Sequence, residues 1–292
     1  MALADHGHFG RAAEACFVTQ STLSTQLKKL EDSLGVALID RSVKRVRPTP
    51  IGREIVAAAR RILEGADGIG DLAKSARDPM ARTVRFGVIP TLGPYYLPRV
   101  LTRVHKAHPE LRLLLREELT PQILEHLEDG RLDAALVALP VEEGGLAVET
   151  LFYEPFLAAL PSGHPLAERE SVKVKDLTEE NLLLLDEGHC LREQALELCG
   201  SASPAREEIR ATSLETLRQM VGMGLGVTLL PILSVDAGPR DRKGAVTVRP
   251  FARPSPGRTI AMVWRRRAPR AETFARLSQT LKDALPGSVA PV

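Results

Sequence analysis

The sequence predicts an α/β protein in three parts: a small helix-turn-helix head with a basic wing, a long linker helix, and a larger body in which strands alternate with helices. Three observations carry that prediction. A leucine stripe at helical spacing lies next to a basic block; an apolar seam runs from Ile51 to Ala73 at alternating spacings of four and three; and beyond Asp78-Pro79 short leucine- and valine-rich runs alternate with amphipathic stretches.

Composition sets bounds on the reading. A chain of 292 residues has room for two or three modules. Its 44% apolar and 26% charged residues are the proportions of a soluble globular protein. Three cysteines, an odd number, argue against a secreted disulfide framework. No run reaches the roughly 18 apolar residues of a membrane span, and no basic segment followed by an apolar one opens the chain as in a signal peptide. The expected compartment is the cytoplasm, with no membrane partner and no cofactor. His105 and His108 have the spacing of a metal pair, but no further ligands cluster with them. They read as a solvated helix face, so no metal site is expected.

Charge is unevenly placed. Met1 to Arg77 holds 12 Lys/Arg against 9 Asp/Glu, and the rest 27 against 28. Arg41, Lys44, Arg45, Arg47 and Arg53 stand together without one carboxylate, as a polyanion-binding surface requires. The reading element lies just upstream. Gly10 to Cys16 is alanine-rich and helical, with Cys16 expected in the core; Phe17-Val18-Thr19 breaks it; and Gln20 to Leu34 forms a second helix that Thr19 can cap. In that helix Leu23, Leu27, Leu30 and Leu34 make one stripe, expected to be buried. The opposite face carries Gln20, Ser21, Thr22, Ser24, Thr25 and Lys28, short polar groups and a lysine that suit base edges and phosphates in a major groove. The residues after Gly35 suggest a two-stranded wing that sets Arg41, Lys44, Arg45 and Arg47 against the DNA backbone.

The seam from Ile51 to Ala73 is a coiled-coil pattern, buried when two chains pair. Gly65, Gly68 and Gly70 predict a bend or fray at its far end. In the body, strands are expected at Thr83–Ile89, Arg112–Glu117, Ala134–Leu139, Leu157–Leu160, Leu182–Leu185 and within Gly224–Pro231, and helices at Tyr96–His108 and Pro121–Asp129. The alternation implies a mostly parallel sheet. Thr212-Ser-Leu-Glu215 reads as a capping box for a helix reaching Met223. Trp264 reads as strand packing.

The most informative pair is Cys190 and Cys199. A helix over Leu191–Leu198 would hold their Cα atoms roughly 13 Å apart, beyond the span of about 4.4–6.8 Å that a disulfide needs. Oxidation could then couple to unwinding. On spacing alone the two also fit a plainer reading, as small buried apolar residues.

The run Phe9 to Gly35, with Leu38-Ile-Asp-Arg41 and Pro48-Thr-Pro-Ile-Gly52, resembles the winged helix-turn-helix of LysR-type transcriptional regulators. The body is similar to that family's effector domain, two α/β lobes of the periplasmic-binding-protein kind. Val88-Ile-Pro-Thr91-Leu-Gly-Pro, Leu185-Asp-Glu-Gly-His189-Cys190-Leu-Arg, Arg210 to Arg218 and Arg258-Thr-Ile260 resemble its peroxide-sensing branch. The resemblance implies a DNA-binding head at 1–53 with a shortened first helix, a linker dimerisation helix at 54–78, and a regulatory domain at 79–292. Lobe I would comprise 82–153 and 259–285, and lobe II 154–258.

It further implies a regulator, not an enzyme, that activates oxidative-stress genes. Hydrogen peroxide would oxidise Cys190, and Cys199 would resolve the product as a disulfide. Thr91, Thr120, His189 and Arg258 would line the peroxide pocket, with Arg258 stabilising the thiolate and the leaving hydroxide. Implied partners are double-stranded promoter DNA, RNA polymerase, a cytosolic dithiol reductant and further copies of the chain in a homodimer or homotetramer. The residues alone leave rivals open. Thr91 could be a helix cap and Arg258 a surface ion pair. The fold could answer a small organic co-inducer between the lobes, or the body could turn over as a thiol peroxidase.

Overall fold

A computed structural model of the chain describes residues 1–40, 46–75, 80–142, 144–200, 211–237, 244–268 and 270–292. Two compact units emerge, Met1–Ala73 with Glu128–Arg131, and Lys74–Leu127 with Leu132–Val292.

The first unit starts with α1 (Ala2–His6) and α2 (Phe9–Ala15), followed by α3 (Gln20–Leu34) with the bounds the sequence predicts. Thr19 caps α3 by accepting from the Thr22 amide at 3.2 Å, and Gly35, at φ +70°, ends it in the left-handed conformation that glycine tolerates best. β1 (Ile39–Asp40) and β2 (Arg47–Pro48) pair antiparallel as the base of a wing. The expected wing residues Arg41, Lys44 and Arg45 lie outside the described residues. Next comes α4 (Pro50–Ser75), 26 residues long. It runs unbroken through Gly65, Gly68 and Gly70, where the sequence predicts a bend or fray. The linker exit expected at Asp78-Pro79 also lies outside the described residues.

Two expectations about this unit fail. The leucine stripe of α3 is not buried, since Leu30 and Leu34 are 47% and 46% exposed and no residue of α3 is fully buried. Cys16 is exposed instead of in the core. Cys16 and Leu30 face the same open apolar groove of about 280 Å³ beside α3, which Leu23, Leu27 and Ile55 also line. The small core of this unit is Leu3, Ala12, Leu38 and Ile39.

The second unit comprises β3 (Thr83–Val88), α5 (Gly93–Ala107), β4 (Arg112–Glu117), α6 (Thr120–Glu128), β5 (Ala134–Ala138), β6 (Leu146–Pro161), α7 (Val174–Leu177), α8 (Cys190–Cys199), α9 (Leu214–Gly222), β7 (Thr228–Pro231), α10 (Ile232–Ala237), β8 (Val246–Pro250), β9 (Gly257–Arg265), α11 (Ala271–Lys282) and β10 (Ala290–Pro291). Strand order is β10-β6-β9-β5-β3-β4, with β7 and β8 paired to β6. The mostly parallel sheet expected from the alternation is corrected. Among the ladders of the described strands only β3 with β4 and β3 with β5 run parallel; β9 and the 16-residue β6 are antiparallel to their neighbours.

The long β6 explains the correction, because it runs through two separate cores with β9 antiparallel beside its first part. One core gathers Phe86, Tyr96, Ile123, Leu136, Phe152 and Trp264. The other gathers Phe156, Leu160, Leu184, Leu217 and Leu229. Trp264 packs as expected, its ring 5.9 Å from that of Phe274. Leu182–Leu185 does not join a ladder and makes only isolated bridges from Leu182 and Leu185. The cap of α9 is Ser213, whose hydroxyl accepts from the Thr216 amide, not Thr212. Among the described residues no helix is long and apolar enough to cross a membrane.

Candidate functional site

The two cysteines stand at opposite ends of α8, Cys190 as its first residue and Cys199 as its last. At 1.5 Å of rise per residue their Cα atoms are roughly 13 Å apart, and both are free thiols. Leu191, Ala195 and Cys199 recur every four residues and bury one face of α8 in the second core, whereas Cys190 packs against the first. Burial pushes the Cys199 thiol above its ordinary value, so it stays protonated and unreactive while α8 is intact. Cys190 is half-exposed. It lies in the first helical turn, where unpaired backbone N–H groups favour negative charge.

The turn leading into α8 is set by Gly188. Its φ of +87° favours glycine, and a Cβ there would meet the Leu119 side chain at 3.0 Å. Gly188 therefore lies against Leu119, the residue before Thr120. The Thr120 hydroxyl and the His189 Nδ1 are both buried without a hydrogen-bond partner. Buried polar atoms without a partner are places where a small polar ligand could bond, and His189 directly precedes the Cys190 thiol in the chain. Burial lowers the His189 pKa, against an opposing pull from Asp186. The neutral ring therefore offers a hydrogen bond and no charge.

Arg258 is not a surface residue. Its side chain is 0% exposed, and so is that of Glu154, which faces it in the β6–β9 register. Arg258 Nε donates to Glu154 Oε2 at 2.9 Å, Nη1 to the Thr91 hydroxyl at 2.7 Å and Nη2 to the Thr91 carbonyl at 3.0 Å. Thr91 is likewise not a cap, since Leu92 holds that position on α5. Thr91 and Arg258 are thus brought together, whereas among the described residues no hydrogen bond joins Arg258 to the Cys190 sulfur. A link between the two groups runs through α8: Gln194 Nε2 donates to the Leu139 carbonyl at 3.3 Å, and the Leu139 amide donates to the carbonyl of Thr259, next to Arg258.

Glu154 is the residue that sequence reasoning missed. Its only signal is a carboxylate inside the apolar run Leu151-Phe-Tyr-Glu-Pro-Phe156. Among the described residues no group of three or more His, Cys, Asp or Glu could hold a metal ion. His108 is committed elsewhere, its Nε2 lying 2.8 Å from the Thr280 hydroxyl.

On α3, Gln20, Ser21, Thr22, Thr25 and Lys28 are exposed and Ser24 half-exposed, and Arg47 is exposed on β2. The Ser21 and Thr22 hydroxyls lie 3.0 and 2.8 Å from that of Thr19, and Thr25 donates to the Ser21 carbonyl. The small polar groups are therefore pre-ordered, beside the exposed Gln20 and Lys28.

Residues 1–53 match the family described as bacterial regulatory helix-turn-helix protein, lysR family, and residues 77–286 match the LysR substrate binding domain. The chain is 42% identical over 289 residues to a hydrogen peroxide-inducible genes activator of Pectobacterium carotovorum subsp. carotovorum, spanning 98% of this chain and 95% of that one. A full-length OxyR variant from Pseudomonas aeruginosa is similar at 40% identity with a TM-score of 0.81, over 97% of this chain and 95% of that one. A hydrogen-peroxide-bound OxyR mutant from Corynebacterium glutamicum is similar at 35% identity with a TM-score of 0.70, over 97% and 89%.

Proposed function

Because the chain belongs to the lysR family of bacterial transcriptional regulators, as the matches to both its parts establish, we propose that α8 is its peroxide-driven switch. The protein is a DNA-binding transcriptional regulator that senses hydrogen peroxide, not an enzyme. The observation that carries the switch is the placement of two free thiols at opposite ends of one helix, one half-exposed and one buried.

In this reading the Cys190 thiolate attacks one peroxide oxygen. The S–O bond forms as the O–O bond breaks, the sulfur is oxidised to sulfenic acid, and the leaving hydroxide takes up a proton to become water. Thr120, His189 and Thr91 hold the peroxide by hydrogen bonds, and Arg258 supports Thr91. Attack by Cys199 on the sulfenic sulfur then forms the disulfide and releases a second water. The thiols cannot meet across roughly 13 Å of helix, so α8 must unwind. A cytosolic dithiol resets the switch by exchange.

On the DNA side, Gln20, Ser21, Thr22, Ser24 and Lys28 face the major groove, and Arg41, Lys44, Arg45 and Arg47 face phosphates. The seam of α4 pairs two chains in a homodimer, with a homotetramer as the larger assembly, and Ile51 and Ile62 are left exposed for that purpose. Head 1–53, linker 54–78 and regulatory part 79–292 then work in the cytoplasm with RNA polymerase as the activated partner.

The test is peroxide treatment of the full chain followed by mass spectrometry. Wild type should lose both Cys190 and Cys199 thiols at stoichiometric peroxide. Cys199→Ser should stop at a sulfenic acid on Cys190 that a dimedone probe traps, and Cys190→Ser should not react. Retention of both thiols in wild type overturns the reading. A normal promoter response in Cys199→Ser would instead support a small organic co-inducer.

A further inference from the structure

We infer that Glu154 is a positioning residue for the peroxide reaction: it fixes the Arg258 guanidinium so that Thr91 is left to donate its hydroxyl proton toward the bound oxidant. The inference rests on the peroxide-sensing reading above and deepens it.

The hydrogen bonds set a direction. Glu154 Oε1 accepts from the Leu233 amide at 3.1 Å, and Oε2 accepts from Arg258 Nε at 2.9 Å and sits 2.8 Å from Nη2. The carboxylate is therefore held from both sides and cannot rotate without breaking one of them. With Nε and Nη2 engaged, Nη1 points at the Thr91 hydroxyl and donates to it at 2.7 Å. An oxygen that accepts from a cation has its own hydrogen turned away, so Thr91 is set as a donor. A donor is what a peroxide oxygen requires as negative charge grows on it during O–O cleavage.

Electrostatics point the same way. Both side chains are 0% exposed. A guanidinium buried without a counter-charge in such a place would be costly and would have no partner to hold it on Thr91. Glu154 balances that charge and keeps Arg258 on Thr91. Without Glu154 the arginine loses the partner that fixes its fork, and Thr91 loses its donor orientation. The register adds to this, because Glu154 and Arg258 are directly paired residues on two adjacent strands, so the pair is placed by the sheet.

A residue with a merely structural role would alter every reaction of Cys190 alike. Positioning affects peroxide alone. The experiment therefore compares two reagents on the full chain in a Cys199→Ser background: hydrogen peroxide, and iodoacetamide, which reads access to the sulfur without an O–O bond. Glu154→Gln should slow sulfenic acid formation at least ten-fold and leave alkylation within two-fold. Glu154→Asp keeps the charge but is too short to reach both Leu233 and Arg258, and should fall in between. In an Arg258→Lys background, Glu154→Gln should add less than two-fold.

An unchanged peroxide rate in Glu154→Gln, or equal slowing of both reagents, overturns the inference. Should Glu154→Gln fail to fold, Glu154→Asp decides alone, and a peroxide rate equal to that of the parent overturns it. Failure of the parent itself to form a sulfenic acid is a different result, since it removes the peroxide reading and not only the role of Glu154.

Discussion

The Arg258 cluster and helix α8 are neighbours built on opposite principles. Around Arg258 the polar groups named above are buried and paired: a guanidinium and a carboxylate on two long strands bond each other, and they bond Thr91 and the Leu233 amide from outside the sheet. Around the start of α8, Thr120 and His189 keep unpaired polar atoms, and α8 itself is 10 residues with three buried side chains. A helix of that length has little stability of its own and depends on its packing. The contrast teaches that a sensor needs a fixed part that holds its shape and a part with unspent bonding capacity that takes the oxidant and yields, and that hydrogen-bond satisfaction separates the two.

The largest expected effect comes from breaking the fixed part. Arg258→Ala leaves a buried carboxylate without its counter-charge and should cost about 3–5 kcal/mol in urea unfolding. A loss under about 1 kcal/mol would show that the cluster is not the rigid half. Next, Thr120→Val removes an orphaned hydroxyl at nearly constant shape. Stability should stay level or rise by about 1 kcal/mol while the peroxide rate falls; a clear loss of stability would mean that the hydroxyl is already satisfied.

On the yielding side, Glu197→Gly in the exposed face of α8 should weaken the helix by about 1 kcal/mol. Disulfide closure after sulfenic acid formation should then quicken about five-fold, seen by quenched-flow mass spectrometry. Equal rates would mean that unwinding does not limit closure.

The smallest effect is on pH. Burial holds the His189 pKa below its ordinary 6.5, so the unfolded chain takes up a proton before the folded one does. Stability from this group is complete above pH 6.5 and declines as the solution is acidified below it. Cys199 has the opposite sign: its pKa is raised from 9.0, so its contribution is complete below that value and is lost as pH climbs past it. His189→Asn should flatten the acid limb of a stability-against-pH curve and leave the alkaline limb in place.

Much of this was legible in the residues, for reasons that differ by element. α3 keeps the bounds read from its pattern because it has a clear period and clear stops in Thr19 and Gly35, and β4 keeps its own because its leucine run is short and bounded by charged residues. β6 was visible only as Leu157–Leu160. Glu149, Glu154 and Pro155 interrupt its alternation, and a neighbouring strand, not local pattern, keeps it extended. The stripe of α3 was read correctly as apolar and wrongly as buried, because periodicity shows which face is greasy and not what covers it. At the site, the cysteine spacing was informative on its own, and the fold brings Thr91 to Arg258 from 167 positions away. Glu154 escaped notice because a lone carboxylate acquires meaning only through its partner on the next strand.

The burial of Cys199 has a consequence in time. Under the proposed chemistry the first thiol responds to peroxide directly, but the second waits for a helix to open, and in that interval a cellular thiol competes for the sulfenic acid. The rate of helix opening against the rate of that reduction sets the share of oxidised molecules that go on to the disulfide. The core packing of one sulfur atom thus sets the gain of the sensor, the number of peroxide hits needed for each lasting signal.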